Sequence, residues 1–115
     1  TWMLPRLIGQ QRAAALAFFG TPVEAREAEG MGMIFKAVEP EAFESTVAGI
    51  ADQLAAMPTR GLGLTKRAFN AGWESPLSEH LTTERDLQIM ASETADYAEG
   101  VAAFLEKRAA TFTGK

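Results

Sequence analysis

The chain has 115 residues, is 47% hydrophobic, carries a net charge of −4 and contains no cysteine. That length suits a modest globular core. The missing thiols exclude disulfides, thiolate metal sites and a cysteine nucleophile, and the acidic balance gives nucleic acid no footprint. The single histidine, His80, leaves no histidine-rich metal site, and no apolar run approaches the ~20 residues of a membrane span. The expectation is a cytoplasmic protein with neither membrane nor nucleic-acid partners. Thr1 is not preceded by an initiator methionine, which reads as a cut inside a longer polypeptide.

Trp2 to Ile8 reads as a short helix with Pro5 in its first turn and Gly9 as its stop. Gln10 to Phe19 follows, and its second half, Ala13-Ala14-Ala15-Leu16-Ala17-Phe18-Phe19, is apolar all round. That predicts burial on every side. Thr21-Pro22-Val23-Glu24 fits a capping box, with Thr21 as N-cap, for a helix from Val23 to about Glu29. Met33 to Val38 is the one expected strand: short, apolar and flanked by turn residues. A lone strand is unstable in water, so it needs an edge to pair with.

Glu41 to Met57 is the cleanest amphipathic helix, with Phe43, Val47, Ile50, Leu54 and Met57 in a narrow stripe. Thr59 to Trp73 has Leu62, Phe69 and Trp73 on one side and Leu64, Ala68 and Ala71 on the other, which predicts a sandwiched helix. Ser75 is the expected N-cap, and Pro76 the first residue, of a helix to about Ser92. Leu77, Leu81, Glu84, Gln88 and Ala91 form its stripe. Thr94 caps a final helix from Asp96 to Arg108. Tyr97, Val101, Phe104 and Leu105 share one face of it, Glu99, Ala103 and Glu106 point away, and Lys107-Arg108 match the dipole at its end. Gly100 in mid-helix costs about 1 kcal/mol relative to Ala. A helix tolerates that most readily where another group approaches closely.

Few residues suggest chemistry by themselves. Gly30-Met31-Gly32 and Gly61-Leu62-Gly63 lack the strand, the helix and the further glycine or lysine of a phosphate loop. His80 has no identifiable nucleophile or orienting carboxylate. Glu84, Asp86 and Glu93 have no apolar pocket motif around them. The five methionines read as core filler, and Arg60, Lys66 and Arg67 as solvated or snorkelling cations. Lys107 has two readings. Complementing the helix dipole is worth ~0.3–1 kcal/mol, and a charge-assisted bond to phosphate ~1.5–3 kcal/mol. On the residues alone the first is preferred.

The run Asp96-x-x-Glu99-Gly100-x-x-Ala103-Phe104-x-x-Lys107-Arg108, followed by Phe112-Thr113-Gly114, resembles the C-terminal end of a crotonase-superfamily subunit, the enoyl-CoA hydratases and isomerases. Earlier landmarks agree in order and spacing: Trp2-x-Leu4-Pro5-Arg6-Leu7-Ile8-Gly9, then Gly20, Ala25, Ala28 and Gly32-Met33-Ile34, then Pro58-Thr59 and Thr65-Lys66-Arg67-Ala68. Trp2 and the Phe112-Thr113-Gly114-Lys115 end are most similar to the ring-epoxide (epoxyphenylacetyl-CoA) isomerase type. Two departures stand out, Glu24 where the family has a Ser or Thr cap, and Gly30 at the end of that helix.

The resemblance implies a mostly α segment over residues 1–115, the helical trimerisation part of a crotonase-like (ClpP/crotonase spiral) α/β fold. The N-terminal spiral core is absent from it. It also implies an acyl-CoA thioester substrate, no cofactor beyond the coenzyme A moiety, and a homo-oligomer, a trimer or dimer of trimers. The family's oxyanion hole of two backbone N–H groups and its proton-shuttling carboxylates belong to that upstream core, so no catalytic residue is expected here. Lys107 matches a lysine that reaches CoA phosphates, Gln88 a position lining the CoA or acyl pocket across an interface, and Trp2 a place beside the acyl pocket. Isomerase is favoured over hydratase, a choice that rests on upstream carboxylates. The rival is a stand-alone helical interaction module without enzymatic activity, which would satisfy the Met33–Val38 strand internally.

Overall fold

The computed structural model describes residues 1–115 as seven α-helices and one 3-10 turn, with no β-strand. The chain divides into two compact units, Thr1–Thr46 and Val47–Lys115.

In the first unit, α1 (Met3–Ile8) packs on α2 (Gln10–Phe19) across the turn at Gly9, whose φ of 82° suits glycine alone. Ile8 and Ala13 are buried, but Phe18 and Phe19 are 83% and 80% exposed. The expected all-round burial of α2 is therefore not found, because a six-residue partner helix cannot cover every face of a ten-residue one. Gly20, left-handed at φ 63°, closes α2 by donating to the Leu16 carbonyl at 3.0 Å. The next helix, α3 (Ala25–Gly30), starts later than the capping box predicts. Glu24 itself is the extended N-cap and makes no side-chain cap bond. Its carbonyl accepts the Ala28 N–H at 2.9 Å, so the hydrogen-bonded turn begins there and Thr21 and Pro22 stay outside it.

The expected strand at 33–38 does not form. The Met33 and Ile34 N–H groups turn back to the Ala28 carbonyl, at 2.8 and 3.4 Å, so they end α3 instead of reaching sideways. A strand exists only as part of a ladder, and no segment offers this one an edge. Phe35 is left 86% exposed. Arg26 pairs with Glu39 on the surface, where such a pair adds little stability.

A 3-10 turn at Pro40–Ala42 leads into α4 (Phe43–Ala55), which passes from the first unit into the second and buries no residue. The amphipathic stripe of α4 is present as a face, but Phe43, Val47 and Leu54 are about half exposed on it, at 54%, 47% and 49%.

The second unit is built on α5 (Thr59–Gly72) packed against α6 (Leu77–Ser92), with α7 (Ala95–Glu106) meeting α6. Leu64 and Leu87 are the buried aliphatic side chains of the first pair. Only one side of α5 is inward: Leu62, Phe69 and Trp73 are 38%, 70% and 40% exposed, so the sandwiched position is not observed. On α6 the predicted stripe is displaced. Leu77 and Leu81 are 73% and 54% exposed, while Leu87, outside that stripe, is buried. Gly72 leaves room for the His80 imidazole, whose Cε1 would lie 3.2 Å from a Cβ placed there. Nor does Ser75 cap α6. Its hydroxyl donates back to the Ala71 carbonyl at 2.9 Å to close α5, and Pro76 is an N-cap that makes no side-chain bond.

Candidate functional site

The final helix and the residues after it form one locked unit. Thr94 caps α7 as expected, its Oγ1 accepting the Tyr97 N–H at 3.1 Å. Past the helix the chain reverses, and residues 109–115 run back along α7 as an extended strap. Asp96, 3% exposed, receives the Thr113 N–H (2.7 Å) and hydroxyl (3.2 Å) on Oδ1 and the Gly114 N–H (2.8 Å) on Oδ2. Its own N–H donates to the Lys115 carbonyl at 3.0 Å. One turn on, Glu99 accepts Arg108 through both oxygens (2.6 and 2.8 Å) and the Thr111 N–H at 2.8 Å. Arg108 also donates Nε to Glu106 at 2.6 Å.

The Phe112 ring lies over Gly100 without requiring a glycine there. A Cβ at Gly100 would meet the ring at 3.6 Å, an ordinary contact rather than a clash. Gly100→Ala should therefore stabilise the chain by about 1 kcal/mol through helix propensity. A thermal melt checks this, and a lower melting temperature would mean the ring cannot share the space.

Both carboxylates are held below their ordinary range by the donors they accept. For Glu99, the Arg108 hydrogen bonds and then the Thr111 N–H bring the value from 4.5 to about 2. For Asp96, the Thr113 N–H is the largest cause, opposed by desolvation. A lowered folded value means that Asp96 and Glu99 take up protons at higher pH once the strap is released than while it is held. The lock contributes fully above the ordinary carboxylate range and is lost as pH falls from about 4.5 towards about 2. Protection of the Thr111 and Thr113 amides, taken relative to the intrinsic exchange rate at each pH, should fall on acidification over that interval while the middle of α6 stays protected. Unchanged protection of these amides across the interval would contradict the lock.

The reversal turns on Lys107. It is not in the last helical turn, as the sequence predicts, but follows it at φ 55°, ψ 39°. Its N–H donates to the Phe104 carbonyl at 3.3 Å and the Arg108 N–H to that of Ala103 at 3.0 Å. This is the Schellman pattern. The same pattern closes α3, with Gly32 N–H to Glu29 and Met33 N–H to Ala28, and there the left-handed residue is a glycine at φ 79°. Lys107 is the only non-glycine residue at positive φ. Its backbone carries a steric cost of roughly 1 kcal/mol that glycine would avoid, and its side chain is exposed. Residues kept in sparsely populated conformations cluster at functional sites.

The other two sequence-predicted site residues lie elsewhere. Gln88 lines an open groove of about 500 Å³ between α5 and α6, with Thr65, Phe69, His80, Glu84 and Arg85. Within it His80 Nε2 faces Glu84 at 3.5 Å, while Nδ1 is buried without a partner. A second concavity, of about 380 Å³, is almost wholly apolar, lined by Tyr97, Val101, Phe104, Leu105, Phe112 and Pro58. Lys107 lines neither, so the structure does not gather Gln88 and Lys107 into one hollow. Trp2, in the first unit, is 47% exposed with the Arg6 guanidinium 4.0 Å from its ring centroid.

Sequence reasoning missed the apolar concavity's direction and the lock. The Tyr97/Val101/Phe104/Leu105 face of α7 is exposed within the chain, and Ala103, expected to point away, is buried at 2%. The available signal was two acids three residues apart beside a mid-helix glycine, followed by Phe-Thr-Gly. No three acids or histidines cluster as a metal site.

Likeness to known proteins adds what geometry alone does not supply. The profile of the enoyl-CoA hydratase/isomerase family matches residues 1–115. The chain is 46% identical to the 1,2-epoxyphenylacetyl-CoA isomerase of Escherichia coli K12, over all of this chain and 44% of that protein. It is 43% identical to a protein named probable enoyl-CoA hydratase in Rhodobacter capsulatus, over all of this chain and 45% of that one. A crystal structure of an enoyl-CoA hydratase subunit from Geobacillus kaustophilus superposes with TM-score 0.92 at 37% identity, covering 97% of this chain and 44% of that chain. The chain thus spans less than half the length of these relatives.

Proposed function

Since this chain belongs to the enoyl-CoA hydratase/isomerase family, we propose that it is the helical C-terminal part of an acyl-CoA-processing subunit, supplying oligomer and coenzyme A contacts. The carrying observation is how much apolar surface its helices turn outward: Phe18, Phe19, Phe35, Phe104 and Leu105 are each 73% exposed or more. Surfaces of that kind mark sites where protein is covered by protein, here the rest of the subunit and neighbouring copies in a trimer or dimer of trimers. An independent interaction module would be expected to close more of its own core. With no strand formed at 33–38, this exposure is what separates the two readings.

Within the reading, Lys107 binds the phosphates of coenzyme A, Gln88 lies towards the CoA or acyl pocket across the subunit contact, and Trp2 lies beside the acyl group. The proton-moving carboxylates stand in the remainder of the subunit. Asp96 and Glu99 are unsuited to moving protons, since both are engaged by the strap and their depressed pKa values leave them weak bases near neutrality. Isomerase chemistry is favoured over hydration, because the isomerase relative is 46% identical and the hydratase 43%. Only the upstream carboxylates separate these two reactions chemically.

The test compares the purified 115-residue chain with the complete subunit, using crotonyl-CoA and 1,2-epoxyphenylacetyl-CoA. The complete subunit should turn over one of them, and the isolated chain neither. Turnover by the isolated chain would overthrow the proposal.

A further inference from the structure

We propose that Glu99 is a positioning residue for Lys107, holding the chain reversal that turns the lysine outward in its left-handed conformation. The proposal rests on the reading of Lys107 as a phosphate ligand.

A lysine has no intrinsic reason to stay at φ 55°, so its neighbours must hold it there. On the N-terminal side α7 does so, through the Lys107 N–H to Phe104. On the C-terminal side the anchor is Glu99. It takes the Arg108 guanidinium bidentately and the Thr111 N–H together, fastening the residue after Lys107 and the residue four beyond it to the same helical turn. With Arg108 fixed, its N–H is delivered to the Ala103 carbonyl, the wider-spanning of the two Schellman bonds. Remove Glu99, and the next anchor is Asp96 at Thr113 and Gly114. The intervening stretch can then relax Lys107 to negative φ and carry its ammonium off target. Two anionic groups surround Arg108, Glu99 and Glu106, and neither is bonded to Lys107. The network therefore absorbs the arginine's charge and leaves the lysine's available.

The experiment uses the complete subunit and Glu99→Gln, which keeps the side chain's size and an acceptor for Thr111 but removes the charge that holds Arg108. Arg108→Lys, which loses the fork but keeps the charge, is the second variant should the first fold poorly. KM for the CoA ester should rise about three- to tenfold with kcat nearly unchanged. KM for the same acyl group on pantetheine, which lacks the nucleotide phosphates, should not move. In a Lys107→Ala background, Glu99→Gln should add nothing further. A rise that is equal for the pantetheine ester, or one that adds fully to that of Lys107→Ala, would show a merely structural role and overturn the inference while leaving the lysine's role intact. If Lys107→Ala itself leaves KM unchanged, the phosphate reading fails first and takes this inference with it.

Discussion

Lys107→Gly in the complete subunit should weaken substrate binding and strengthen the fold at once. The ammonium's charge-assisted bond to phosphate is worth ~1.5–3 kcal/mol, so KM for a CoA ester should rise on the order of tenfold to a hundredfold. Because a distant phosphate contact is felt equally in the ground and transition states, kcat should scarcely change. Stability moves the other way. Lys107 sits at φ 55°, where Gly20 and Gly32 serve at the ends of α2 and α3, and relieving the Cβ contact should add roughly 1 kcal/mol. Lys107→Ala should match the binding loss without the stability gain, since alanine keeps the Cβ. The pair of variants, assayed by KM and thermal melts, separates side chain from backbone. A glycine variant that is less stable, or that binds the ester normally, would show that the strained lysine is not kept for binding.

Asp96→Asn should release the strap. The carboxylate accepts three hydrogen bonds on two oxygens. An amide of the same shape has one acceptor oxygen, and its NH2 would face the Gly114 N–H, donor against donor. Thr113 and Gly114 amides should then exchange on the order of tenfold faster or more, and the Phe112 ring should leave Gly100. Gly114→Ala approaches the same strap from the other side. Its φ is 78°, and a Cβ there would lie 2.6 Å from Thr59 Oγ1, too close for either to remain in place. The two variants should produce the same detached strap by hydrogen exchange and the same fall in melting temperature. Protection at Thr113 that survives Asp96→Asn would mean that the Phe112 contact alone holds the strap.

The sequence brought Gly100 and Lys107 forward for reasons other than the contacts that the structure gives them. Gly100 is conspicuous as a helix-interior glycine, yet nothing local says that Phe112 lies over it. Lys107 is conspicuous as a cation at a helix end, and the strain that sets it apart follows from bonds made by its neighbours' backbones. Trp2 and Gln88 are legible only through the family resemblance, and the structure puts one beside Arg6 and the other in the α5–α6 groove.

The helices themselves, their approximate ends and the Thr94 cap were decided by residues within four positions of one another, where period and capping chemistry operate, and the sequence determined them by itself. The expected cap at Ser75 fails because its hydroxyl closes the helix it follows, and the capping box at Thr21 fails because the hydrogen-bonded turn begins at Glu24. Which face of α6 and α7 is buried, whether residues 33–38 pair, and where Asp96 and Glu99 spend their hydrogen bonds depend on partners far along the chain. Asp96 meets Thr113 and Gly114 from 17 and 18 residues away, a distance over which hydrophobic period carries no information. Those choices belong to tertiary structure, because a buried donor or an apolar face is satisfied by whatever folding places beside it.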